Sequence, residues 1–95
     1  MRVKVVTTDD FRYAWNRLTP QMQRIIKNKI NRLAENRGHP SLHVHRLRKV
    51  REDIWVCYIT INMRLLYEYR EDTLYLWNLG GHSIVDKVHL RKFAS

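Results

Sequence analysis

Ninety-five residues at 44% hydrophobic and 28% charged content fit one folded domain over residues 1–95 and exclude a disordered chain. No apolar run approaches the roughly 20 residues of a membrane span, and the opening MRVKVV lacks the apolar core of a secretory signal. A cytoplasmic protein with no membrane partner is expected. The charge is more telling: 18 Lys and Arg against 9 Asp and Glu leave +9, an excess that favours a polyanionic partner.

In chain order, Arg2–Thr7 reads as a short half-buried strand, with Val3 and Val5 on one face and Arg2 and Lys4 on the other. Thr7-Thr8-Asp9-Asp10 looks like a helix start, a capping threonine followed by two carboxylates at the positive dipole end. Phe11, Ala14, Trp15 and Leu18 then repeat at i, i+3, i+4 and i+7. Thr19-Pro20 separates this helix from a second. Met22, Ile25, Ile26, Ile30, Leu33 and Ala34 line one side of the second helix, and Gly38 and Pro40 stop it. The helical hairpin needs a sheet to cover.

Residues 39–44 read as a loop and 44–48 as a short edge strand. Three β-like runs follow, Ile54–Ile61, Met63–Arg70 and Thr73–Leu79. The short links at Ile61-Asn62-Met63 and Glu71-Asp72-Thr73 imply antiparallel hairpins. Alternation in the middle run sends Met63, Leu65, Tyr67 and Tyr69 toward the helices, and Arg64, Leu66, Glu68 and Arg70 toward an open face. The expected fold is therefore α+β: an N-terminal strand and a two-helix hairpin packed on a mainly antiparallel sheet of four to five strands, with a short C-terminal segment over 83–93.

The residues rule some chemistries out. Gly38, Gly80 and Gly81, the only glycines, form no phosphate-binding loop. The histidines have no metal-ligand spacing and no cysteine pair, so no metal and no cofactor is expected. Cys57, the only cysteine, sits mid-strand as a small core residue and cannot form an internal disulfide. Between His39 and Arg51 lie His43, His45, Arg46, Arg48 and Lys49 without one acid. Two readings fit this stretch: an edge kept from aggregating by its charges, and a surface that tracks phosphates.

Element order and two motifs resemble the RelE/ParE toxin superfamily. Met63-Arg64-Leu65-Leu66-Tyr67 is similar to its "yRlly" strand, and Leu79-Gly80-Gly81-His82-Ser83 to the "GxH" closing its last core strand. The resemblance implies a RelE-like fold, a type II toxin–antitoxin system and a cognate antitoxin held in a hetero-oligomer. For the RelE/YafQ branch it implies a metal-independent endoribonuclease that cuts messenger RNA, often on the ribosome. Carried onto this chain, it makes Arg64 the residue at the scissile phosphate and His82 the general acid. It also makes His45 the candidate base, with Tyr58 assisting. Tyr58 and Asn62 stand where the YafQ branch has His and Asp, and Trp55 and Cys57 near the two strand lysines of RelE. RNA contacts are expected from His43, Arg46, Arg48, Lys49, Arg51, Asn62, Lys87 and His89. Structural roles remain open beside these: a strand-end cap for His82, and an ion pair with Glu68 for Arg64. Two other functions fit the same chain, a ParE-type gyrase poison without a nuclease site and a non-catalytic RNA-binding module.

Overall fold

The computed structural model describes residues 3–47, 53–81 and 83–84. Five strands form one sheet: β1 (Lys4–Thr7), β2 (His45–Arg46), β3 (Trp55–Thr60), β4 (Met63–Arg70) and β5 (Thr73–Gly80), in the order β1-β5-β4-β3-β2. Only β1 pairs parallel, against β5; the other three pairings are antiparallel. Helices α1 (Asp9–Asn16) and α2 (Pro20–Glu35) cover one face. The α+β architecture expected from the pattern is the one observed.

Local chemistry explains the helix starts. Thr8 Oγ1 accepts from the Phe11 amide at 3.1 Å and donates to the Trp77 carbonyl at 2.5 Å. One side chain thus caps α1, worth about 1 kcal/mol, and fastens it to β5. Thr19 Oγ1 accepts from the Met22 amide at 3.2 Å, ahead of Pro20 at the first position of α2. At the β4–β5 hairpin both turn residues, Glu71 and Asp72, have positive φ, 49° and 59°. That is the geometry a two-residue hairpin needs to match strand twist, here adopted without glycine.

The N-terminal strand differs from expectation. It is an edge strand, with Val5 48% and Val6 46% exposed, rather than half-buried. Val3, just before the strand, does pack against the helix-side core as expected.

The sheet carries apolar packing on both faces. On the helix side Phe11 of α1 and Ile26 and Leu33 of α2 meet Leu65, Tyr67 and Leu76 of the sheet, all buried. On the far face Leu47, Ile54, Val56, Leu66 and Ile84 form a second, smaller core with Trp77 against it. Each fully buried leucine or isoleucine contributes roughly 1.5–3 kcal/mol, so this second cluster anchors the chain beyond β5. Alternation assigns β4 as expected: Leu65 and Tyr67 to the helices, Arg64 and Leu66 away from them.

In β5 alternation breaks. Leu66 pairs with Asn78 but Tyr67 pairs with Leu76, so Trp77 is an extra residue in the ladder, a β-bulge. The bulge lets Leu76 and Leu79 both face the helices while Trp77 joins the far side. There its Nε1 donates to Glu68 Oε1 at 2.9 Å.

Gly80 is required for space rather than for backbone conformation. A Cβ there would lie 2.7 Å from Ile84 Cγ2. That methyl belongs to a stiff β-branched side chain that is itself buried. Gly80→Ala is expected to lower the unfolding free energy by about 1–3 kcal/mol through overpacking. A urea midpoint equal to that of the unsubstituted protein would show that Ile84 yields freely.

Candidate active site

The site forms where β4 crosses between β3 and the end of β5. Arg64 stands opposite Tyr58 on one side and Gly80 on the other, so Tyr58 and Arg64 share the sheet face away from the helices. The Arg64 guanidinium carbon lies 3.6 Å from the centroid of the Tyr58 ring. Its Nη1 donates to the carbonyls of Thr60 and Ile61 at 3.0 Å each and of Met63 at 3.3 Å. Arginine remains charged at any depth, so burial demands such acceptors and an aromatic face beneath. The β3–β4 hairpin supplies the acceptors, from the last residue of β3, the turn and the first residue of β4.

This corrects the open-face expectation for Arg64. The residue occupies the expected face but is only 5% exposed, held against the Tyr58 ring and the carbonyls of the β3–β4 turn. Glu68, also buried, pairs with Arg70 at 3.1 Å and accepts from Trp77.

Two histidines border Tyr58. The His43 ring centroid lies 5.4 Å from that of Tyr58, and the His45 centroid 6.0 Å away in an edge-on arrangement. Both histidines are exposed. His45 Nδ1 lies 3.4 Å from the His43 carbonyl. His43 itself has φ 46°, a left-handed conformation uncommon outside glycine, at the end of a 3-10 turn (Pro40–Leu42). Edge strand β2 follows directly and sets His45 opposite Val56, on the same face as Arg64.

The other expected contacts scatter. Asn62 sits exposed at the β3–β4 turn, its amide donating to Thr60 Oγ1 at 3.3 Å. Arg46 pairs with Trp55 in the ladder, one face away from His45, and its Nε bridges to Asp53 at 2.8 Å. Cys57 is buried, and burial pushes its thiol up to about 11. It therefore stays protonated near neutral pH, which suits a core residue and not a nucleophile. His82, Arg48, Lys49, Arg51, Lys87 and His89 lie outside the described residues. Ile84 nevertheless packs with Leu66 and Ile54, and its amide donates to the Gly81 carbonyl at 3.2 Å. The chain past β5 thus returns to the face that holds Arg64.

Sheet order, the helical hairpin on one face and a turn back onto the other invite comparison with solved structures. A metal-bound toxin from Helicobacter pylori superposes with a TM-score of 0.70 at 23% identity, over 86% of this chain and 97% of that one. YafQ from E. coli strain BL21(DE3) superposes with a TM-score of 0.68 at 14% identity, over 90% and 98%. The archaeal RelE–RelB complex from Pyrococcus horikoshii OT3 gives 0.68 at 14% identity, over 85% and 96%. The fold is that of the RelE/ParE toxins. No family model and no curated sequence matches the chain. At such identities the RelE/ParE-like fold is shared while side chains have diverged, so residue roles rest on this chain's own geometry.

Two features of this RelE/ParE-like fold escape a reading of the sequence. One is the Glu68–Arg70–Trp77 group, which depends on the bulge in β5. The other is an aromatic pocket between the segment after α2 and strands β3 and β4, built from residues distant in sequence.

Proposed function

We propose that this chain is the toxin of a type II toxin–antitoxin pair, an endoribonuclease that cleaves messenger RNA and arrests translation in the cytoplasm. The observation that carries the proposal is the convergence of Arg64, Tyr58 and His45 on one sheet face, with His43 beside Tyr58 at the sheet edge. A net charge of +9 favours a polyanionic partner.

The reaction needs no metal, because RNA carries its own nucleophile. The 2′-oxygen attacks the adjacent phosphorus, the bond from phosphorus to the 5′-oxygen breaks, and a 2′,3′-cyclic phosphate and a 5′-hydroxyl result. One group must take the 2′-hydroxyl proton and another must give a proton to the leaving oxygen. His45 serves as base and His82 as acid, with Tyr58 positioned between His45 and Arg64. The fixed Arg64 charge favours the extra negative charge of the phosphorane. Asn62, Arg46 and the basic residues Arg48, Lys49, Arg51, Lys87 and His89 supply further RNA contacts. The RelE–RelB complex among the structural relatives supports a cognate antitoxin as partner.

Induced expression in growing bacteria, without an antitoxin, tests the proposal. Cleaved messenger RNA and a fall in protein synthesis within minutes are expected, with relief on co-expression of the cognate antitoxin. DNA breaks with an SOS response and intact messenger RNA would assign the chain to gyrase poisoning. Growth without arrest would leave an RNA-binding module.

A further inference from the structure

On the helix side of the sheet, behind the catalytic face, lies a cavity of about 540 Å³, a size suited to a small organic ligand. Its apolar wall is aromatic: Trp55, Tyr67 and Tyr69. Its rim carries Arg37, His39 and His43. Among the described residues of the lining the one acid, Asp53, pairs with Arg46 at 2.8 Å. Arg37 is exposed, and its guanidinium carbon sits 3.6 Å from the centroid of the Tyr69 ring. A planar cation stacked on a phenol in this way extends the aromatic surface toward solvent. Burial raises the Tyr67 phenol, and partial burial with the Asp72 hydrogen bond raises that of Tyr69. Both stay neutral at physiological pH and do not repel an anion.

Aromatic walls with a cationic rim match a nucleotide: the base stacks on Tyr, Trp or Arg planes and the phosphate meets the cation. Position agrees with chemistry. β2 is the outer strand of the sheet, and His43, just before it, lines this cavity while lying 5.4 Å from Tyr58 on the other face. A single strand crossing the sheet edge at His43 would place one nucleotide near Arg64 and a neighbouring one in the cavity. We propose that the cavity lined by Trp55, Tyr67, Tyr69 and Arg37 is a nucleobase-binding subsite for single-stranded RNA, joined to the cleavage site across the β2 edge by His43. As a substrate subsite it rests on the endoribonuclease reading, but nucleotide binding is measurable without cleavage.

The test uses the full-length protein titrated with each of the four nucleoside 5′-monophosphates and with a short single-stranded RNA of unhydrolysable 2′-O-methyl sugars, followed by NMR. Shifts at the Trp55 indole and the Tyr67 and Tyr69 rings are expected, with the Trp77 indole on the opposite face unmoved by the monophosphates. Tyr69→Leu and Arg37→Ala should each weaken binding about tenfold, the effect of losing one stacking partner, and Tyr69→Phe should retain it. Arg37 is exposed, so its variant does not depend on core packing. The subsite is overturned by shifts confined to Tyr58 and Trp77, or by affinity indifferent to both Arg37→Ala and Tyr69→Leu. It is equally overturned if an antitoxin segment protects Trp55 while no nucleotide moves it. Nucleotide shifts at Trp55 in a protein that cleaves no RNA would uphold the subsite and sink the nuclease reading instead. Cleavage without those shifts would do the reverse.

Discussion

Arg64→Ala is expected to reduce RNA cleavage by about 10²–10³-fold, the effect of removing a preorganised donor to a developing oxyanion. The same substitution should also destabilise the fold. It withdraws the donor shared by the carbonyls of Thr60, Ile61 and Met63, at a cost of about 1–3 kcal/mol when such groups stay buried. Two effects in one variant call for a second. Arg64→Lys keeps the charge, and an ammonium still offers a donor to the turn, but the planar face stacked 3.6 Å from the Tyr58 ring centroid is lost. A Lys variant with a near-normal urea midpoint but little cleavage would show that the guanidinium itself acts in the reaction. Full cleavage by a folded Arg64→Ala protein would confine Arg64 to holding the turn.

His82→Ala is expected to cost about 10²–10⁴-fold in cleavage rate, the usual worth of a positioned acid or base, with the fold unchanged. His45→Ala should fall in the same range if it is the base. The pH–rate profiles separate the two roles. An acid works while protonated, so its loss removes the decline in rate on the alkaline side. A base works while deprotonated, so its loss removes the decline on the acidic side. His82→Ala should therefore flatten the alkaline limb and His45→Ala the acidic limb. A His82→Ala protein as toxic as the parent would take that residue out of the mechanism. If His45→Ala cleaves normally and His43→Ala does not, the base is the neighbouring histidine, whose ring is the nearer to Tyr58.

Most of the framework was legible because each element carries its own local signature. The threonine caps, the stripe from Phe11 to Leu18, Pro20 at the head of α2 and the period-two pattern of β4 report a few consecutive residues. Their observed bounds, Asp9–Asn16, Pro20–Glu35 and Met63–Arg70, follow that local information. Tyr58 and Arg64 were legible as candidates, and a tight hairpin brings them opposite each other. The burial of Arg64 was not legible. It depends on the Tyr58 ring and the β3–β4 turn carbonyls closing around the guanidinium, on a face that alternation alone marks as open.

By itself the sequence determined the helices, the turns, the sheet's alternating faces and an excess of positive charge, because periodicity, capping and composition are local or additive properties. Tertiary structure alone decided that Trp77 joins the far face through a bulge, that Arg64 is buried against the Tyr58 ring and the turn carbonyls, and that His43 and His45 come to border Tyr58. Those outcomes depend on cross-strand register and on which distant side chains compete for the same surface, and neither quantity is encoded in any short stretch of chain.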